Sequence, residues 1–310
     1  MKNNNKDNKS NEKEKEKENM NKEDKINADI KEIEDIQNEI SDNIGTLLKS
    51  HKQIADEIVI KILKNIIPSY TTSQNFIEVK MGLYISDDLI EFIGQYLLGD
   101  ENWSLMYNII TKLVLSKDVA IRQGAAYGIG NFAKFTTKNF EKYSKELIDS
   151  LYKAMEMQKD IEDDEEEDED DEEYDDFGMS YDNIVAAIGK IINYQFNSQI
   201  VQDGLNELIN KWIKNLPIKY DDTEQEQQHE WLVDLFLVKR KLIGENCYNH
   251  YFETLIKIYG TKTSNDRIDE KIKKIFDEFV KNEDKLKQIV ENIYQNSDEI
   301  LKRKLEKLIK

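Results

Sequence analysis

The sequence predicts an all-α chain, a stack of helical hairpins in which no single hairpin makes a core of its own. Three observations carry that expectation. Glycine and proline are scarce, 12 and 2 in 310 residues, too few for a turn-rich sandwich or barrel or for a glycine-fed nucleotide fold. From about residue 27 onward the apolar residues fall at helical spacing almost without interruption. The helical stretches also recur in pairs at a near-constant interval.

The elements follow in order. Met1 to about Asp24 is lysine, glutamate and asparagine with no apolar stretch, so residues 1–26 read as a disordered polar tail, neither signal peptide nor anchor. Ile33, Ile36, Ile40, Ile44 and Leu47 give a one-sided helix over 27–50. Its polar residues Lys31, Glu32, Glu34, Asp35, Gln37, Asn38, Glu39, Ser41 and Asp42 are expected on an outer face that caps the stack. Ile54, Ile58, Ile62 and Ile66 repeat every fourth residue, and Pro68 is expected to stop that helix. Further helices are predicted over 75–97, 102–115, 118–135, 139–157, 179–194, 200–214, 223–243, 247–260, 265–280, 282–295 and 297–309. Asp118 is a natural N-cap, as is Ser198 or the polar residues just before Val201; Asn193 and Asn197 suit a helix end, and Pro217 blocks continuation past the Trp212 helix.

First helices of successive pairs begin near 54, 102, 139, 200, 247 and 282. Apart from one interval lengthened by an acidic insert, the spacing is about 35–48 residues, the period of HEAT or armadillo repeats. The prediction is therefore an α-α superhelix, a HEAT/armadillo-like solenoid of about six hairpins over residues 27–310. Hairpins of this kind bury their apolar stripes against their neighbours, so the chain need not divide into separate domains.

Charge divides the chain sharply. Lys+Arg number 44 and Asp+Glu 63, a net −19. Between Asp160 and Asp176, fifteen of seventeen residues are acidic and none is basic; removing those fifteen charges from −19 leaves −4 on the rest. That argues against duplex nucleic acid or an anionic membrane as a direct partner, because either needs a basic face. No apolar run reaches the ~18 residues of a membrane span, and a soluble protein is expected. A lone Cys247 excludes an intramolecular disulfide and points to a reducing compartment, and with His51, His229 and His250 it makes no zinc site.

The segment Lys117–Gly130 reads as the second helix of a HEAT hairpin. Asp118 opens it and can pair with Arg122 one turn on, while Gly124, Ala125, Ala126 and Gly128 admit a close neighbour. Four blocks stand in order along the chain: Gly82-Leu-Tyr-Ile-Ser-Asp-Asp-Leu-Ile-Glu91, Ile121-Arg-Gln-Gly-Ala-Ala-Tyr-Gly-Ile-Gly130, Asp182-Asn-Ile-Val-Ala-Ala-Ile-Gly-Lys-Ile191, and Trp212-Ile-Lys-Asn-Leu-Pro-Ile218 followed by the Trp231–Leu237 helix. Over roughly residues 40–280 the sequence resembles the C-terminal part of an importin-beta (karyopherin-beta) nuclear transport receptor, in the branch typified by importin-five. Two features depart from that pattern: the acidic run stands where the family has a shorter loop, and the N-terminal two-thirds or more of the family's chain is missing.

The resemblance implies a receptor that moves between cytoplasm and nucleus, binding protein cargo with basic segments and nucleoporin repeats. The family's main Ran-GTP site lies in the missing part, so Ran-GTP binding is left open. Glu162, Asp163, Asp164, Glu165, Glu166, Glu167, Asp168, Glu169, Asp170, Asp171, Glu172 and Glu173 form the heart of the acidic run. Within such a scaffold they are a candidate attractor for Lys/Arg-rich cargo, against the plainer reading of a solvated insertion. Asn183 and Trp231 fall on second helices, which in this family line the concave face, and are candidates to grip an extended peptide if they are not core packing. Asp118 and Arg122 are assigned to repeat packing.

Other chemistries find little footing. The acidic run lacks the glycine and spaced terminal glutamate of a calcium loop, and Asp176-Phe177-Gly178 has no other kinase motif beside it. The glycines at 124, 128 and 130 sit within a helix with no Gly-Lys-Ser/Thr after them. His229 beside Glu226 and Glu230 reads as a solvated histidine on a charged face, and Cys247 as a partly buried thiol. Trp103, Trp212 and Trp231 suit packing. No enzyme activity and no cofactor are expected. Two rivals to a transport receptor remain at this stage: a HEAT interaction scaffold without transport, and an acidic chaperone for histones or ribosomal proteins.

Overall fold

The computed structural model describes residues 4–51, 61–94, 99–136, 140–162 and 176–309. Thirteen helices account for nearly all of these residues, and no strand occurs among them. Helix α1 is Asn4–Ser50. Helix α2 joins a π-helical turn, Ile62–Ile66, to the α-helical Ile67–Thr71. Helix α3 is Phe76–Asp88 with a π-helical end at Leu89–Ile93. Then come α4 (Asp100–Leu113), α5 (Val119–Phe135), α6 (Phe140–Glu162), α7 (Asp176–Tyr194), α8 (Gln199–Lys214) and α9 (Asp222–Lys239). The last four are α10 (Tyr248–Ile258), α11 (Asp266–Ile275, with a π-helical end Phe276–Val280), α12 (Asp284–Asn296) and α13 (Glu299–Ile309).

Side-chain caps open several of the helices. Asn75, Asp118, Asp221 and Asn265 each stand in extended backbone and accept a hydrogen bond from an N–H two or three residues on, meeting donors that have no intrahelical acceptor. Ser198 holds the same position before α8, but its side chain makes no cap bond.

Pairing follows the chain. Helices α4/α5, α6/α7, α8/α9 and α10/α11 form successive hairpins. The first members stack on one another in one layer (α4, α6, α8, α10, α12), and the second members in another (α3, α5, α7, α9, α11). One continuous apolar core runs between the layers, from Leu48 and Leu83 through Ile129, Ile188, Trp212 and Phe252 to Leu305. This is the HEAT-like α-α solenoid that the period predicts.

Three local expectations are corrected. Pro68 does not end its helix, which runs on to Thr71 with the proline in the first turn of the α-helical part. The π-helical turn just before it widens the backbone where proline would clash with the carbonyl four residues back. Residues 4–26, expected to be a disordered tail, are the opening of α1. Lysine and glutamate are good helix formers, and in the run Glu12–Glu18 opposite charges stand three residues apart. The expected polar cap holds in part, with Lys31, Glu32, Asp35, Asn38, Glu39 and Asp42 exposed. Ser41 is buried and Gln37 half-buried, while Ile26, Ile30, Ile33, Ile36, Ile40 and Leu47 are exposed. The buried line of α1 is Ser41, Gly45 and Leu48 against α3, so the isoleucine stripe lies beside the contact and not in it.

Candidate partner-binding face

The second-layer helices carry a polar network through the core. Asp182, buried on α7, accepts hydrogen bonds from the backbone N–H groups of Lys219, Tyr220 and Asp221, which fixes the connection between α8 and α9. Burial outweighs those bonds and raises its pKa. Asn183 donates to Met179 O at 3.0 Å and to Asp221 Oδ2 at 2.9 Å. Lys190 and Glu224 form a buried ion pair, with the ammonium 4.9 Å from the centre of the Tyr127 ring. Trp212 Nε1 donates to Gln228 Oε1 at 2.9 Å, and Gln228 Nε2 donates to Ala186 O at 3.2 Å. Apart from the Asn183–Met179 bond within α7, each of these interactions ties one helix to a neighbouring helix or connection.

Close to this network lies an acidic cleft of about 290 Å³, lined by Ser41 and Asp42 of α1, Tyr84, Asp87 and Asp88 of α3, Gln123, Gly124 and Tyr127 of α5, Asn183 of α7, and Asp221. Two glycines shape it. A side chain at Gly128 would collide with the Asp87 carboxylate and come within 3.0 Å of Ile110; one at Gly45 would meet Asp88 at 2.5 Å. Asp87, on α3, is thereby pressed against α5, 4% exposed, and its Oδ1 has no hydrogen-bond partner among the described residues. Burial, then the charges of Asp88 and Glu91, push its pKa well up, with Lys190 opposing. Asp88 rises to about 7 through burial, then Glu91 and Asp42. Glu91 accepts from Tyr127 Oη at 2.7 Å and from Asn131 Nδ2 at 3.3 Å.

Tyr84 connects this cleft to the acidic run. Burial first, then the charges of Asp87, Asp118 and Asp176, raise its phenol to about 12. Asp176 is the first residue of α7 and the last of the acidic run. The run therefore rejoins the fold beside the cleft. Glu162 ends α6, while Asp163–Glu173 lie outside the described residues.

The remaining candidates are placed as follows. Both amide hydrogens of Asn183 are committed within the fold, so it lines the cleft as a strut. Trp231 on α9 is half-buried, edge-on to Tyr194 with ring centres 5.5 Å apart. Asp118 caps α5 through Ile121 N at 3.0 Å. Arg122 is fully buried and donates to Ser116 O at 2.8 Å; burial lowers its pKa while Asp118 opposes that shift.

Two side readings need correction. His229 is not solvated: it is fully buried, with Nδ1 2.8 Å from Thr263 O and Nε2 unpartnered, and burial lowers its pKa. Its neighbours are engaged elsewhere, Glu226 with Asn265 and Glu230 with Arg267 and Lys271. The α9–α11 seam closes over the imidazole. Cys247 is fully rather than partly buried, and its Sγ lies 3.2 Å from Asn210 Oδ1. Among the described residues no cluster of three or more His, Cys, Asp or Glu is arranged to hold a metal ion, and no helix is long and apolar enough to cross a membrane.

Sequence reasoning passed over Asp87 and Asp88. A signal was present, since two adjacent carboxylates interrupt the run Leu83–Ile93 and stand in sequence blocks whose glycines promise close packing.

No family model matches the chain. Importin subunit beta-3 of Saccharomyces cerevisiae is 25% identical over 205 residues, which is 65% of this chain and 17% of the relative. Over that stretch the chain is similar in sequence to part of an importin. It spans about a sixth of that relative's length. The crystal structure of Kap121p bound to RanGTP superposes with a TM-score of 0.61 at 20% identity, over 89% of this chain and 23% of that one. Kap121p bound to Nup53p gives 0.59 at 19% identity, over 87% and 22%. At those identities the structural matches bear on the fold, which is the helical solenoid described above.

Proposed function

We propose that the chain is a cargo-binding part of a nuclear transport receptor of the importin-five-like branch, moving between cytoplasm and nucleus, and that basic segments of protein cargo dock on the second-layer face. The observation that carries this reading is the acidic cleft, with Asp42, Asp88 and Asp221 among its lining residues, beside the point where the 160–176 run rejoins the fold. A lysine or arginine head from a partner entering the cleft would meet the carboxyl groups of Asp42, Asp88 and Asp221 on its walls. The run acts earlier in the encounter. Fifteen like charges attract a basic segment over a Debye length of ~8 Å and raise its association rate.

The test is binding of a lysine-rich histone-tail peptide to the intact chain, to a 160–176 deletion and to Asp87→Asn/Asp88→Asn, measured against salt. The deletion is expected to slow association and flatten the salt slope; the double substitution is expected to speed dissociation. Unchanged binding in both would refute the reading. A pull-down with Ran-GTP and phenylalanine-glycine nucleoporin repeats tests the transport role itself. Retention of neither would leave an interaction scaffold in its place.

A further inference from the structure

The exposed isoleucines of α1 follow a stricter rule than amphipathicity. Ile26, Ile30, Ile33, Gln37, Ile40, Ile44 and Leu47 are separated by 4, 3, 4, 3, 4 and 3 residues, the alternation of a coiled-coil seam. It runs three heptads, ~33 Å at 1.5 Å per residue. An amphipathic helix lying flat on its own body keeps a period near 3.6; a sustained 3.5 repeat drifts ~20° per heptad and suits a left-handed wrap around a second helix. No helix among the described residues covers the seam. Ile26, Ile30, Ile33, Ile40 and Leu47 are 42–56% exposed, and only Ile44 of the apolar set is partly covered, where the stripe borders the contact with α3. Gln37 takes one seam position and leaves its Oε1 shielded yet unpartnered, as a polar residue does where it fixes the register of a pair.

Charge decides the occupant. Between Ile26 and Leu47 stand Asp29, Glu32, Glu34, Asp35, Glu39 and Asp42 against a single Lys31. A second copy, parallel or antiparallel, would lay one acidic flank against another. We propose that residues 26–47 of α1 form a coiled-coil docking seam for a partner protein's amphipathic helix, one with an apolar heptad stripe flanked by lysine or arginine. The seam adjoins the acidic cleft, which takes Ser41 and Asp42 from the same stretch of α1, but it is a different surface. Its apolar residues take no part in lining that cleft, and its recognition is apolar first and electrostatic second.

The probes are two synthetic 28-residue helices with isoleucine and leucine at the seam positions. One has lysine at every flanking position and its twin has glutamate. Titration against the full chain by calorimetry is expected to give at least tenfold tighter binding for the lysine helix. Ile30→Ser/Ile33→Ser changes only exposed side chains; it is expected to weaken that binding at least tenfold with the melting temperature unchanged, while deleting residues 160–176 leaves it within about twofold. Equal affinity for both helices, or full affinity in the serine variant, overturns the proposal. A chain that sediments as a dimer and becomes a monomer with Ile30→Ser/Ile33→Ser also overturns it, in favour of a second copy as occupant. Loss of histone-tail binding with the seam intact would refute the cleft reading alone.

Discussion

The Lys190–Glu224 pair gives the sharpest test of how the second layer is held together. Both residues are about 95% buried, at 5% and 4% exposure. Truncating either leaves the other charge in the core, which costs about 3–5 kcal/mol. Lys190→Met keeps most of the stem that fills the space over Gly130, where an added side chain would meet Lys190 Cδ at 2.6 Å. The loss is then electrostatic, plus ~1 kcal/mol for the contact with Tyr127. We expect Lys190→Met to cost ~4 kcal/mol and Glu224→Met about the same. The double variant should recover to within ~2 kcal/mol of the parent, because an apolar pair of similar volume carries no desolvation cost. Urea unfolding followed by circular dichroism measures the totals. Hydrogen exchange on α7 and α9 localises them, since a stack of hairpins opens in segments. A single-variant loss below ~0.5 kcal/mol, the scale of a surface change, would refute the argument, as would a double variant that loses the sum of the two singles.

Further outcomes follow from the same geometry. Asp88, raised to about 7, stabilises the fold relative to its ionised form below the ordinary carboxylate pKa, and that contribution is lost as pH rises through 7. Asp88→Asn should flatten the fall in unfolding free energy between about pH 4 and 7, by ~2 kcal/mol once solvent screening of a partly exposed group is allowed for; an unchanged pH profile would count against it. Gly189→Ala would place a methyl group against Gln228 Oε1 and 2.6 Å from Trp212 Nε1, breaking their bond at a cost of ~2–4 kcal/mol, read as a lower melting temperature and altered tryptophan emission. Cys247, fully buried with its thiol pKa raised by burial, should react with Ellman's reagent only as fast as the chain opens. A native-state rate near that of a free thiol would contradict the packing of the α8–α10 seam.

Much of this architecture could be read from the residues, and the exceptions have physical causes. Period and caps carried the helices: the stretch expected over 200–214 is Gln199–Lys214, and that over 118–135 is Val119–Phe135 behind its Asp118 cap. Breaker rules were less dependable, because a π-helical turn can absorb a proline without ending the helix. The first helix misled for another reason. Its heptad and its amphipathic period coincide over two turns, so spacing alone does not say which side of the stripe meets α3. His229 and Asp87 were hidden because burial depends on what the next hairpin brings, Thr263 for one and Gly128 for the other. Those contacts span more than thirty residues of chain. Local pattern does not reach across them.

Asp182 and Asp87 differ in whether the fold meets the hydrogen-bonding demand of a buried acid. Both are buried at 3–4% exposure on second-layer helices, and burial raises both pKa values. Three backbone N–H groups at the entry to α9 meet the carboxylate of Asp182, so its charge is used up in closing a connection. The Oδ1 of Asp87 lies against Gly128 and meets no donor among the described residues. An apolar residue at that place would remove a cost of about 1–3 kcal/mol. Asp88 and Asp42 stand beside it on the cleft wall, and because burial disfavours the charged form of both Asp87 and Asp88, Asp87→Asn/Asp88→Asn is expected to leave the fold at least as stable while it loses the basic peptide. A variant that gains no stability and binds as before would place Asp87 with Asp182, among the acids that only hold the stack together.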